Sequence, residues 1–63
     1  MYHGIVCNPG QVGVRFSAPD YRTLREKVHA LTHMSDEAAR LVIWDEFGSE
    51  IFVGTVKKWR DRQ

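Results

Sequence analysis

Sixty-three residues with a net charge of +1 make one small domain and leave no room for a separate cofactor domain. At 43% hydrophobic and 27% charged residues, the composition is that of a folded globular protein and excludes disorder across the body of the chain. Cys7 is the single cysteine, which excludes an internal disulfide and a cysteine metal cluster. No apolar run nears the roughly 20 residues a membrane-spanning helix needs. The start, "MYHGIVCNPG", lacks a basic segment ahead of its short apolar run, so no secretory signal is expected and the expected compartment is the cytoplasm.

In chain order, "YHGIVCNPGQVGVRFS" reads as two short strands joined at "NPGQ". Pro9 presets φ for the second position of a turn, and Gly10 supplies the positive φ that follows it. Pairing Asn8 with Gln11 sets Cys7 against Val12, Ile5 against Val14 and His3 against Phe16. The expected inward face is then Ile5, Cys7, Val12, Val14 and Phe16.

"SAPDYRTLREKVHALTHM" reads as a helix. Ser17 or Asp20 can cap it, and Pro19 is tolerated only in its first turn. Tyr21, Leu24, Val28 and Leu31 recur at 3-4-3 spacing and form an apolar stripe. The segment "SDEAAR" has the form of one extra turn with Ser35 as its cap.

"LVIW" and "EIFVGTV" are β-branched and aromatic, and read as two more strands around the turn "DEFGSE", with Gly48 at positive φ. Pairing Asp45 with Glu50 and Trp44 with Ile51 divides the hairpin into two apolar faces. Leu41, Ile43, Phe52 and Val56 share one, which belongs under the helix. Val42, Trp44, Ile51, Val53 and Thr55 share the other. Residues 1–56 are thus expected to form a single ββαββ domain, with residues 57–63, "KKWRDRQ", as a short basic tail.

This order predicts an α+β, two-layer, β-grasp-like fold: one helix packed on a four-stranded sheet, the first and last strands parallel at its centre. The architecture is similar to that of small bacterial immunoglobulin-binding domains, a likeness that carries no function. Ubiquitin-like carriers share the topology but end in Gly-Gly, whereas this chain ends in "WRDRQ".

Few residues form a pattern that carries chemistry. Glu26, His29 and His33 stand on one side of the helix as E-x-x-H-x-x-x-H, a spacing at which two histidines can meet a zinc ion. No further ligand is evident, and the metalloprotease glutamate would lie between the histidines. The three are therefore expected to be a solvated polar face. Cys7 is expected to be buried, and no basic neighbour in sequence lowers its pKa. Ser17, Ser35 and Ser49 fall at caps or turns. "NPGQVG" lacks the lysine and the strand–loop–helix setting of a phosphate loop. The pairs Asp36–Glu37 and Asp45–Glu46 point different ways, as neighbours do, and serve turn solubility. No catalytic residue, metal ligand or cofactor is expected.

Charge is uneven. Residues 36–50 carry Asp36, Glu37, Asp45, Glu46 and Glu50 against Arg40, while the end carries Lys57, Lys58, Arg60 and Arg62 against Asp61. The basic residues Arg22, Arg25, Lys57, Lys58, Arg60 and Arg62 support one reading, a small nucleic-acid-binding or transcription-regulatory protein. The exposed apolar face of the second hairpin supports the favoured one. A large apolar cluster open to water marks an interaction site, and tryptophan is prominent among residues that dominate interfaces. The expected partner-binding residues are Val42, Trp44, Ile51, Val53 and Trp59. In the competing arrangement Trp59 and Tyr2 fold over this cluster as a minor core. The expected function is a non-enzymatic protein-binding module, an inhibitor or adaptor of the kind that phages and mobile elements encode. Its partner is a larger host protein or a second copy of itself, and not a membrane.

Overall fold

The computed structural model describes residues 1–62. Strands β1 (Tyr2–Cys7) and β2 (Val14–Ala18) precede helix α1 (Tyr21–His33), and strands β3 (Arg40–Trp44) and β4 (Glu50–Thr55) lead into a second helix, α2 (Val56–Asp61). The fold is the two-layer α+β arrangement expected, four strands in one sheet with the helical layer on one face.

Strand order differs from the β-grasp expectation. The sheet runs β2-β1-β3-β4 and every pairing is antiparallel. The centre is therefore β1 beside β3, not β1 beside a parallel β4. Side-chain chemistry accounts for this choice. "LVIW" is apolar on both sides, as a central strand requires, whereas β4 carries Glu50, Gly54 and Thr55 and suits an edge. β2 and β3 run in the same direction on either side of β1, and α1 carries the chain across it.

The first hairpin keeps its expected turn but not its expected register. Gln11 N donates to Asn8 O at 3.0 Å and Gly10 has φ of 74°, so Pro9 and Gly10 form the tight turn. Pairing begins only at Val6 with Val14 and continues through Gly4 with Phe16 to Tyr2 with Ala18. Residues 11–13 stay outside the ladder, which moves the register by one and exchanges the two faces of β1. Tyr2, Gly4 and Val6 face the helices; Ile5 and Cys7, expected inside, face away. Gly13 lies so close to Ile5 that a Cβ there would sit 2.7 Å from Ile5 Cδ1. Gly4 is equally constrained, because a Cβ on it would overlap the ring of Phe16, its partner across the ladder.

α1 begins at Asp20, whose carboxylate accepts from Thr23 N at 2.8 Å. Its buried side chains are Leu24, Val28 and Thr32, with Leu31 at the margin. Tyr21 does not belong to this stripe: it is 45% exposed and meets Tyr2 edge-on, with ring centroids 5.9 Å apart. No extra helical turn forms at "SDEAAR". Asp36 instead accepts from Ala38 N at 2.9 Å and receives Ala39 N on its carbonyl at 3.0 Å, while Asp36 N donates to Asn8 Oδ1 at 2.9 Å. The loop is thereby tied to the first hairpin, and Ala39 is fully buried.

The largest departure is at the end of the chain. Residues expected to trail as a basic tail form α2, capped by Thr55, whose hydroxyl accepts from Lys58 N at 3.1 Å. Val56 and Trp59 are buried, and the Trp59 ring meets Phe52 edge-on at 5.1 Å between centroids. α1 lies over β1 and β2 while α2 packs on β3 and β4, so two helices divide one face of the sheet.

Two consequences are measurable. Gly4→Ala forces Phe16 off the sheet and lowers stability by about 1–3 kcal/mol, seen as a lower urea midpoint at unchanged slope; wild-type stability would contradict the placement of the ring. The Asp20 carboxyl is held below its ordinary value of 3.8, first by the hydrogen bonds from Thr23 and less by the charge of Arg22. A depressed folded-state pKa gives stability that is present above 3.8 and lost as pH falls through the folded value. In acid titrations the advantage of wild type over Asp20→Ala, modest for so exposed a group, disappears on the acid side and persists at neutral pH.

Candidate functional site

The sheet face turned away from the helices is built by simple alternation. On β3, Leu41 and Ile43 face the core and are 1% and 0% exposed, so Val42 and Trp44 must leave on the other side. Val53 stands opposite Val42, and Ile5 of β1 is its neighbour on the other flank. A register shift between Ile43 and Trp44 leaves Trp44 opposite Glu50 and brings in Ile51 as an additional residue, the mark of a β-bulge. Phe52 faces the core, so by alternation its neighbour Ile51 leaves on the same face as Trp44.

Val42, Trp44, Ile51 and Val53 are thus brought together, with Ile5 added. Ile51 and Val53 are 40% and 43% exposed, and the remaining three are half-buried, Ile5 with Gly13 lying against its side chain. His3, paired with Trp44, and Arg15, paired with Ile5, border the patch on one side. Arg40 borders it at the far end of β3. His3, Gly4, Ile5, Arg15, Phe16 and Trp44 line a shallow hollow of about 340 Å³. Among the described residues neither Arg15 nor Arg40 has a carboxylate within 4.0 Å.

Trp59 does not join this face. It is 4% exposed on the opposite side of the sheet, packed on Phe52. Tyr2 also faces the helices, against Tyr21, so neither aromatic folds over the patch. Sequence reasoning missed Ile5 and Arg15, because the slipped register of the first hairpin hid one and isolated the other. It also passed over Phe47 at the tip of the second hairpin. There the Asp45 carboxylate accepts from Phe47 N and Ser49 N, both at 2.9 Å, and Gly48 turns with φ of 83°. The Phe47 side chain is left 85% exposed.

The basic residues are spread over the helical side, and most are engaged. Arg22 pairs with Glu26 at 3.8 Å and Lys57 with Asp61 at 3.4 Å. Arg60 donates to the carbonyl of Thr32 and reaches Glu37 at 4.0 Å. The guanidinium of Arg62 lies over the rings of Phe52 and Trp59, 5.3 and 5.2 Å from their centroids. Arg25 lines a hollow beside Tyr21 and His29, and Lys58 is exposed on α2. Three of the six cations therefore face a carboxylate of the same chain.

Cys7 is partly exposed, its thiol directed at the carbonyls of Gln11, at 3.2 Å, and of Asn8, at 3.7 Å. Neither partner can draw off a proton. Ser35 donates to the Leu31 carbonyl at 2.7 Å and Ser17 O accepts from Lys27 Nζ at 2.6 Å. No helix among the described residues is long and apolar enough to cross a membrane. Compared with family models, curated proteins and solved structures, the chain matches none.

Proposed function

We propose that this chain is a non-enzymatic protein-binding module, an inhibitor or adaptor, that docks a larger protein on its open sheet face. The observation that carries the reading is the gathering of Ile5, Val42, Trp44, Ile51 and Val53 on one face with both helices spent on the other. An apolar cluster that includes a tryptophan and has a polar border is the make-up of an interface whose core excludes water. The border favours a foreign partner over a second copy. It is supplied by Arg15 and Arg40, with His3 and Glu50 on either side of Trp44, so a partner that sets carboxylates against both arginines answers more of the border than the single Glu50 of a second copy does. A surface with an apolar centre and a rim of carboxylates complements it. The lone Cys7 fits a cytoplasmic protein, of the kind that phages and mobile elements encode.

The nucleic-acid reading draws less support, since Arg22, Lys57 and Arg60 already have carboxylate neighbours and the cations do not form one stripe. An affinity capture from the native host separates the two. Trp44→Ala is expected to weaken the captured complex by on the order of 2 kcal/mol or more, while Arg25→Glu on the helical side leaves it intact. Capture that survives Trp44→Ala, yet is abolished by Arg25→Glu and by nuclease, would transfer the function to the basic residues.

A further inference from the structure

His29 and His33 lie on the exposed side of the last turns of α1, and their spacing alone says only that they share a side. The structure adds that the two rings converge. Nε2 of His33 is 3.1 Å from Nε2 of His29, the ring planes stand at 89° and the centroids are 4.4 Å apart. Two ring nitrogens this close must share something, either a proton or an ion. Metal–imidazole bonds are about 2.0–2.1 Å long. Two nitrogens 3.1 Å apart then subtend an angle of about 100° at a common ion. That angle lies between the right angle of adjacent octahedral or square-planar positions and the wider tetrahedral one.

We propose that His29 and His33 form a two-point chelate for a late first-row divalent ion such as Zn²⁺ or Ni²⁺, with imidazole nitrogen as the donor these ions favour. The surroundings permit the charge. Arg60 lines the hollow of about 260 Å³ that it shares with His29, Thr32, His33 and Trp59, while on the other side of His29 the cations Arg22 and Arg25 line a hollow together with Glu26, which pairs with Arg22. The Arg60 guanidinium is already held by the Thr32 carbonyl and faces Glu37. The carbonyls at the end of α1 add partial negative charge at that point. Among the described residues no group of three or more histidine, cysteine, aspartate or glutamate side chains gathers around one point. The remaining positions of the ion therefore belong to water or to a donor from another molecule. This is an open site, unlike the closed four-ligand sites that hold a fold together.

The test is a calorimetric titration of the full chain with ZnCl₂ and, separately, NiCl₂, in a His3→Ala background. That background removes a histidine close to the amino terminus that competes for such ions, and zinc avoids oxidising the Cys7 thiol. The expected result is saturable uptake of one ion per chain, with the Nε2 resonances of His29 and His33 shifting together in zinc titrations followed by nitrogen-15 NMR. Uptake is lost in His29→Ala and equally in His33→Ala. Both positions are exposed, and unchanged thermal melts of the two variants in metal-free buffer show that the fold is kept. Absence of saturable uptake, or uptake that survives either substitution, would overturn the proposal and leave the pair as a hydrogen bond only.

Discussion

Leu41, Val42, Ile43 and Trp44 follow one another on a strand that has neighbours on both sides, so two of these four side chains must leave the sheet away from the helices. Among the described residues there are two helices, of 13 and 6 residues, and both pack on the same face. They seal Leu41 and Ile43 together with Val6, Leu24, Val28, Phe52, Val56 and Trp59. Among the described residues no helix is left to cover Val42 and Trp44. The open apolar face is thus the unavoidable other side of a central apolar strand in a small two-layer domain.

The covered side depends on the short second helix more than its length suggests. α1 spans the β1–β2 half, and without α2 the half around Phe52 would lie open. Trp59 closes it, and Arg62 lays its guanidinium over both rings, giving cation–π attraction while its charge remains in water. The same segment ties distant parts together. Val56 N donates to Ala39 O at 2.9 Å and Lys57 N to Glu37 O at 3.1 Å, joining the start of α2 to the loop before β3. Arg60 reaches across to Thr32 at the end of α1. The basic end of the chain, read in sequence as a tail that can fold Trp59 back on the domain, is a capped helix and the second half of the roof.

The second hairpin was legible in its inner face. Both faces are apolar and a loop one residue longer or shorter would shift the pairing, but Leu41, Ile43, Phe52 and Val56 make the more purely apolar set, the one that belongs under the helix. All four fall under the helices, and the expected pairing holds until the bulge at Trp44. The first hairpin was less so. The alternation of Ile5, Cys7, Val12, Val14 and Phe16 points to pairing straight from the turn, and the two unpaired residues after "NPGQ", Val12 and Gly13, are invisible to a rule that starts pairing there. Gly4 and Gly13 held the missing information, since each marks a place where another side chain lies against the backbone. Strand order was hidden too, because it rests on which strand tolerates burial on both faces, a comparison between segments far apart. Thr32 entered the core in place of Tyr21 because a hydroxyl bonded to the His29 carbonyl is satisfied without water.

The division of labour between the two tryptophans is the centre of this account, and thermal unfolding of wild type, Trp44→Ala and Trp59→Ala at two protein concentrations tests it most directly. Loss of Trp59 should cost about 3–5 kcal/mol, as truncation of a buried aromatic does, and leave little folded protein in so small a domain. Loss of Trp44 should cost far less, and no melt should depend on concentration. If Trp44→Ala destabilises as much as Trp59→Ala at both concentrations, the open face is a second core. A concentration-dependent wild-type melt that Trp44→Ala abolishes would instead make the face a contact between copies of the same chain, and either result contradicts a surface kept free for a foreign protein.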